Sequence, residues 1–249
     1  MTQLKPDNNV KIHASSVSGF LACETSGYYR YWNPDFRPPH IASWVGSQVH
    51  RYVLESGEEP MPEGYVFDKT TQTYKQAKKQ AIRISRSVSH AIEEYDIELS
   101  EFEKDMGTYQ RPQWPTNVFL TGRADLTGYH QGMRVILDLK TSEDYHPAWL
   151  QLGAYALLDG HDPSNVPVLP AVSLGVIHAP RSNTGLGKMP DIIWAERPHE
   201  IITRTITQLD RIVELLNDPD KVTVSPGKQC KWCAHPNCPV RAVQFHPHV

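Results

Sequence analysis

Asp138-Leu139-Lys140 is the one place in the chain where an acidic residue stands two positions before a lysine, and it closes an apolar run, Ile136-Leu137. On a strand, residues two apart face the same side, so Asp138 and Lys140 share a site while Leu139 turns into the core. Upstream, Gly122-Arg123-Ala124-Asp125 sits on a neighbouring strand, with His130-Gln131-Gly132 as the hairpin turn between them. Asp125 is expected at a strand end, beside Asp138. Two carboxylates next to a lysine suit a hard cation such as Mg²⁺ or Mn²⁺. Such an ion lowers the pKa of a bound water and neutralises charge building on a phosphate, while the lysine orients the water and supports the developing charge. That is the chemistry of phosphodiester hydrolysis.

Two further pieces gather around this set. His50 lies on a helix after Gly46, where a missing side chain permits another segment to come close. An imidazole ligand there makes Mn²⁺ plausible beside Mg²⁺. Gln151 and Tyr155 are four apart on a helix face and can donate hydrogen bonds to a phosphate or a metal-bound water.

The cysteines form a second constellation. Cys230, Cys233 and Cys238 are spaced C-x2-C-x4-C, and Cys23 lies far upstream. Clustered thiols of this kind wrap one metal centre. Structural zinc, with His235 able to replace Cys23, and an iron–sulfur cluster both fit four such ligands. Either centre requires Cys23 and the C-terminal segment to meet, and couples folding to metal.

These residues need elements to hold them. Ser15 and Ser16 are placed to cap a short helix with Val17, Phe20 and Leu21 on one side. Further helices are expected over 41–55, 69–95 (apolar positions alternating by three and four), from Pro147 to about Gly160, and over 200–217. Strands are expected over 118–127, 133–141, 168–178 and 192–195. The outcome is a mixed α/β fold, a central sheet flanked by helices with the cysteine tail packed on an N-terminal helix. We expect a single domain over 1–249: N-terminal helices at 12–56, a helical insertion at 57–110, the nuclease core at 111–217 and the cluster tail at 218–249.

Composition excludes little and narrows much. Apolar residues make up 39% and charged residues 21%, ordinary for a globular protein. No apolar run matches a membrane span and no signal-peptide pattern opens the chain, so a cytoplasmic, membrane-free protein is expected. Gly185-Leu186-Gly187-Lys188 lacks the remainder of a phosphate-binding loop. A net charge of −3 argues against coating nucleic acid by bulk charge. A local track remains available in Lys75, Lys79, Arg83 and Arg86, which share one face of the long helix, and in Arg123 beside the acidic site. Tyr28, in the run Tyr28-Tyr29-Arg30-Tyr31-Trp32, is a candidate for stacking a base. A non-catalytic nucleic-acid-binding or assembly subunit, and a zinc-stabilised hydrolase of another substrate, are the competing functions. Against the first, paired carboxylates repel a phosphate unless a cation intervenes.

The order of parts resembles RecB-type PD-(D/E)xK nucleases, most closely the iron–sulfur exonucleases associated with CRISPR adaptation and their phage-borne relatives. The matching pieces are Cys23, Gly46 to His50, Gly122 to Asp125, Asp138 to Lys140, Gln151 to Tyr155, and the three clustered cysteines. The resemblance implies His50, Asp125, Asp138 and the Leu139 carbonyl as metal ligands, with Lys140 catalytic. It also implies a 4Fe–4S cluster on Cys23, Cys230, Cys233 and Cys238, and single-stranded DNA, or DNA with free ends, cut 5′ to 3′. Partners by the same resemblance are recombination or CRISPR-adaptation proteins, with a homo-oligomer as a further possibility. Asp138 departs from the glutamate that many relatives carry there.

Overall fold

The computed structural model describes residues 9–32, 41–54, 74–162, 171–180 and 190–226, with Cys230 and Cys238. Its organising element is a long strand, β3 (Val118–His130). β4 (Met133–Lys140) returns antiparallel to it. The turn between them places Gln131 at φ 51° and Gly132 at φ 76°, the left-handed pair that a two-residue hairpin loop needs to match the strand twist. β5 (Val172–His178) runs parallel to β4, and β6 (Asp191–Trp194) antiparallel to β5. β1 (Val10–His13) pairs parallel with β3, and β2 (Ile97–Tyr109) pairs antiparallel with β3. Six strands thus form one mixed sheet.

Helices cover both faces. α1 (Val17–Ala22), α5 (Ala148–Leu158) and α6 (Pro198–Asn217) pack on one side, around Phe20, Leu152, Leu157, Leu209 and Leu216. α3 (Ile41–Leu54) and α4 (Tyr74–Glu94) pack on the other, around Trp44, Val49, Ala81, Ile84 and Val88. Leu126, Leu137 and Leu139 belong to this second core; burying each fully contributes about 1.5–3 kcal/mol. α2 (Glu24–Trp32) follows α1 after a break at Cys23, whose backbone is extended.

The register of β3 creates a gap. Leu120 and Thr121 pair with both β1 and β2, while Leu126 to His130 pair with both β2 and β4. A strand has two edges, so β1 and β4 lie end to end on the edge opposite β2. Between them, on that edge, residues 122–125 of β3 pair with no strand among the described residues, while Arg123 and Ala124 stay paired with β2 on the other. Beyond the last pair, Leu126↔Leu137, β4 leaves β3 and continues beside β5 alone. The sheet therefore forks; one step further in the same register Asp125 and Asp138 would have stood opposite each other.

Several expectations are corrected. Asp125 lies within β3, at the fork, and not at the strand's end. The segment expected as a helical insertion contains the 13-residue strand β2. Leu21 is exposed, because α1 has only six residues and one narrow buried stripe. Ser16 occupies the N-cap of α1 without capping it, since its hydroxyl donates to the His13 carbonyl. Residues 69–73 and 168–170, Cys233 and His235 lie outside the described residues.

Candidate metal centre

Asp125 is fixed first. Its Oδ2 accepts a hydrogen bond from the Leu139 backbone N–H at 2.8 Å. That N–H would have bonded β3 had the strands stayed paired; the fork orphans it and the carboxylate takes it up. The other oxygen, Oδ1, faces His50 Nδ1 at 3.6 Å. His50 reaches the fork from α3, and its Nε2 lies 3.1 Å from the Leu139 carbonyl oxygen. Gly46, one turn earlier, lets α3 settle: a Cβ there would stand 3.1 Å from Thr141 Oγ1.

Glu103 is the residue that sequence reasoning missed. It comes from β2, whose pairing on β3 (Phe102↔Leu126, Lys104↔Ala124) sets it across from Asp125. Its Oε1 lies 4.0 Å from His50 Nδ1. Its backbone adopts φ 45°, a conformation that costs a non-glycine residue about 1 kcal/mol or more and concentrates at functional sites. Ligand atoms of His50, Glu103 and Asp125 all lie within 4.8 Å of one another, enough to hold a metal ion.

Asp138 completes the acidic set. Its side chain is wholly buried, and Lys140 Nζ lies 2.8 Å from Oδ2. Lys140 is thus ion-paired to Oδ2, while Oδ1 has no hydrogen-bond donor among the described residues. A single ammonium offsets only part of the cost of enclosing a carboxylate whose second oxygen lacks a donor. Burial foremost, and then the charge of Asp125, push its pKa above the usual carboxylate range, with Lys140 and His50 opposing. At His50 burial works against the charged form, but Asp125 and Glu103 outweigh it and raise the pKa to about 9. Both ring nitrogens face oxygen acceptors, so the imidazolium occupies a nest of negative groups. A surplus of acceptors, a buried carboxylate oxygen without a donor and a mixed N/O donor set fit a divalent cation.

A polar chain supports Lys140 from the opposite helical layer. Its Nζ donates to Gln151 Oε1 at 3.2 Å, and Gln151 Nε2 donates to the Tyr155 hydroxyl at 2.6 Å. The lysine can only donate, so the amide has one workable orientation. Tyr155 is 2% exposed and burial raises its pKa; it reaches the site through Gln151 and not by direct contact with solvent. Gly122 belongs to the same support, since a Cβ there would come within 2.9 Å of both the Tyr155 ring and Ala14.

Other expected residues fall at varied distances from the fork. Arg123 is exposed, 3.8 Å from Glu103 Oε2. Lys75, Lys79, Arg83 and Arg86 are exposed on α4, opposite its buried Ala77, Ala81, Ile84 and Val88, and α4 packs on the helix that carries His50. Tyr28 is half-buried against the other core with its hydroxyl enclosed, edge-on to Trp32. Cys23, Cys230 and Cys238 are buried and outside any disulfide. The chain after α6 returns to the start of α2. Glu24 accepts from Arg211 at 2.8 and 3.2 Å and from the Thr223 N–H at 2.9 Å, and Thr25 N–H donates to the Thr223 carbonyl at 3.2 Å.

A family model described as "PD-(D/E)XK nuclease superfamily" matches residues 12–239. No curated protein matches the sequence. A solved structure described as "Crystal structure of SSO0001" aligns at 13% identity over 96% of this chain and 89% of that chain, with a TM-score of 0.47. Among the described residues no helix is long and apolar enough to cross a membrane.

Proposed function

The chain belongs to the PD-(D/E)XK nuclease superfamily, whose members are metal-dependent nucleases, and from that premise we propose that it is a Mg²⁺- or Mn²⁺-dependent DNA exonuclease acting on single-stranded or free DNA ends, 5′ to 3′, with a structural 4Fe–4S cluster. The observation that carries the catalytic reading is the fork: His50, Glu103 and Asp125 bring their ligand atoms together there, and the buried Asp138, ion-paired to Lys140, lies close enough to feel the charge of Asp125.

His50, Glu103, Asp125, Asp138 and the Leu139 carbonyl are the groups that would hold the cation. When bound, it supplies a Lewis acid for the phosphate and a water of lowered pKa. Lys140 contributes a fixed positive charge, partly exposed, where the attacking oxygen and the phosphate would meet. Gln151 accepts from that ammonium, which is also ion-paired with Asp138, and Tyr155 keeps Gln151 in place. Arg123, open to solvent beside Glu103, is placed to meet a phosphate. The exposed lysines and arginines of α4 supply a salt-sensitive track for the rest of the strand.

The cluster reading draws on the resemblance, on the burial of Cys23, Cys230 and Cys238, and on the contact of Thr223 with the two residues after Cys23. Iron and labile sulfide in brown purified protein are the expected result; colourless protein with one zinc would replace the cluster by a zinc centre. A role in CRISPR adaptation or phage recombination rests on the resemblance alone.

End-labelled single-stranded and duplex DNA, incubated with Mg²⁺ or Mn²⁺, tests the activity. Asp125→Ala, Asp138→Ala and Lys140→Ala should each cut at least about a hundred-fold more slowly while remaining folded. Full activity in all three would move the active site elsewhere.

A further inference from the structure

The loop from Lys140 to α5 carries aromatic rings that the site described above does not use. Tyr145 stacks on His146, with centroids 4.6 Å apart and planes 15° from parallel. It also meets His178 at 4.9 Å and the edge of Trp149 at 6.3 Å. The base of this group is firm, since Tyr145 and Trp149 pack against the main core. Its outer member is open: the His146 side chain is 75% exposed.

Two features fix the group beside the fork. His178 is the register partner of Lys140 on the adjacent strand, one strand spacing, about 4.8 Å, away. His178 Nε2 lies 3.0 Å from the Ser142 carbonyl, tying the loop to that strand. His146 is held as well, with its backbone N–H and its Nδ1 each 3.0 Å from Asp144 Oδ1. An exposed ring that is both hydrogen-bonded and stacked has little rotamer freedom left to lose on binding a ligand. One face rests on Tyr145 and the other continues the stack towards solvent.

We propose that the Tyr145–His146 stack beside Lys140 binds one unpaired nucleobase of the strand being cut. The proposal rests on the nuclease reading of the neighbouring site and deepens it by naming what that site recognises. A base in a duplex already has neighbours on both faces, whereas an unpaired base gains an aromatic partner, which favours single-stranded substrate. Such stacking tolerates any sequence, because every base has a π-face.

The test uses the full chain carrying Lys140→Ala, which keeps the strand intact, with Mn²⁺ present. Oligodeoxynucleotides bearing 2-aminopurine at successive positions from an end serve as probes, and matched blunt duplexes as the control. At one position the fluorescence should be quenched. Adding His146→Ala should relieve that quenching and weaken single-strand binding about ten-fold, with duplex binding unchanged, and His146→Phe should restore both. Equal single-strand affinity with and without His146→Ala would overturn the stack, as would equal losses on single strand and duplex. DNA cleavage by the unmodified protein, measured separately, distinguishes failure of the stack from failure of the nuclease reading.

Discussion

At the fork three side chains, His50, Glu103 and Asp125, bring ligand atoms within 4.8 Å of one another, and Glu103 is the least expected of them. Removing its charge while keeping its shape isolates its part. Glu103→Gln should weaken Mn²⁺ binding by about ten-fold or more, read by calorimetric titration of DNA-free protein, with little change in folding. An unchanged affinity would reduce Glu103 to a partner that orients His50. Asp138, Lys140 and Asp125 were legible in sequence because a period of two on an apolar strand dictates which residues share a face. Glu103 was not, because Glu101, Glu103, Lys104 and Asp105 follow no alternation, and only the register of β2 on β3 shows which carboxylate faces inward. The direction of Tyr155 was also hidden: four-residue spacing puts it beside Gln151 but does not say that the ring is enclosed.

At the scale of elements, apolar periodicity exposed the helices and the buried strands and concealed β2. That strand keeps few buried positions and carries five charged side chains among its 13 residues, the usual protection of an edge strand. β1 alternates visibly, with Val10 and Ile12 buried and Lys11 and His13 exposed, but its partner lies more than a hundred residues away and no local pattern names it. The contact of α5 with α6 is close at one point: a Cβ on Gly153 would stand 2.2 Å from Thr205 Oγ1, a buried side chain. Gly153→Ala should therefore cost about 1–3 kcal/mol in denaturant unfolding, and Thr205→Ala in the same chain should recover part of it. The opposite end of α5 is tied to β4 through Arg134, which donates to both oxygens of Asp159 at 3.1 and 3.2 Å. Burial works against the Asp159 carboxylate, but His161 and Arg134 outweigh it and lower its pKa to about 2. A depressed carboxylate stabilises the fold above its unfolded pKa, near 4, and loses that contribution as pH falls towards 2. Asp159→Asn should cost about 2 kcal/mol at neutral pH and leave a shallower loss of stability between pH 4 and 2, measured by unfolding across that range.

For the whole molecule, two long-range contacts tie distant parts of the sequence together, β1 on β3 and Thr223 on Glu24. Thr223, seven residues before Cys230, meets the two residues after Cys23 through hydrogen bonds that need no metal. The fork has a thermodynamic counterpart. Because its donors come from α3, β2, β3 and β4, an ion seated there would act as a staple across both helical layers' shared sheet, and its occupancy would be felt as heat resistance. At a free Mn²⁺ concentration a hundred times its dissociation constant, the gain is about 2.7 kcal/mol, which for a chain of this size raises the melting temperature by about 5–10 °C. Asp138→Ala should melt at one temperature with or without manganese, so differential scanning reports on the cation without a strand of DNA in the tube.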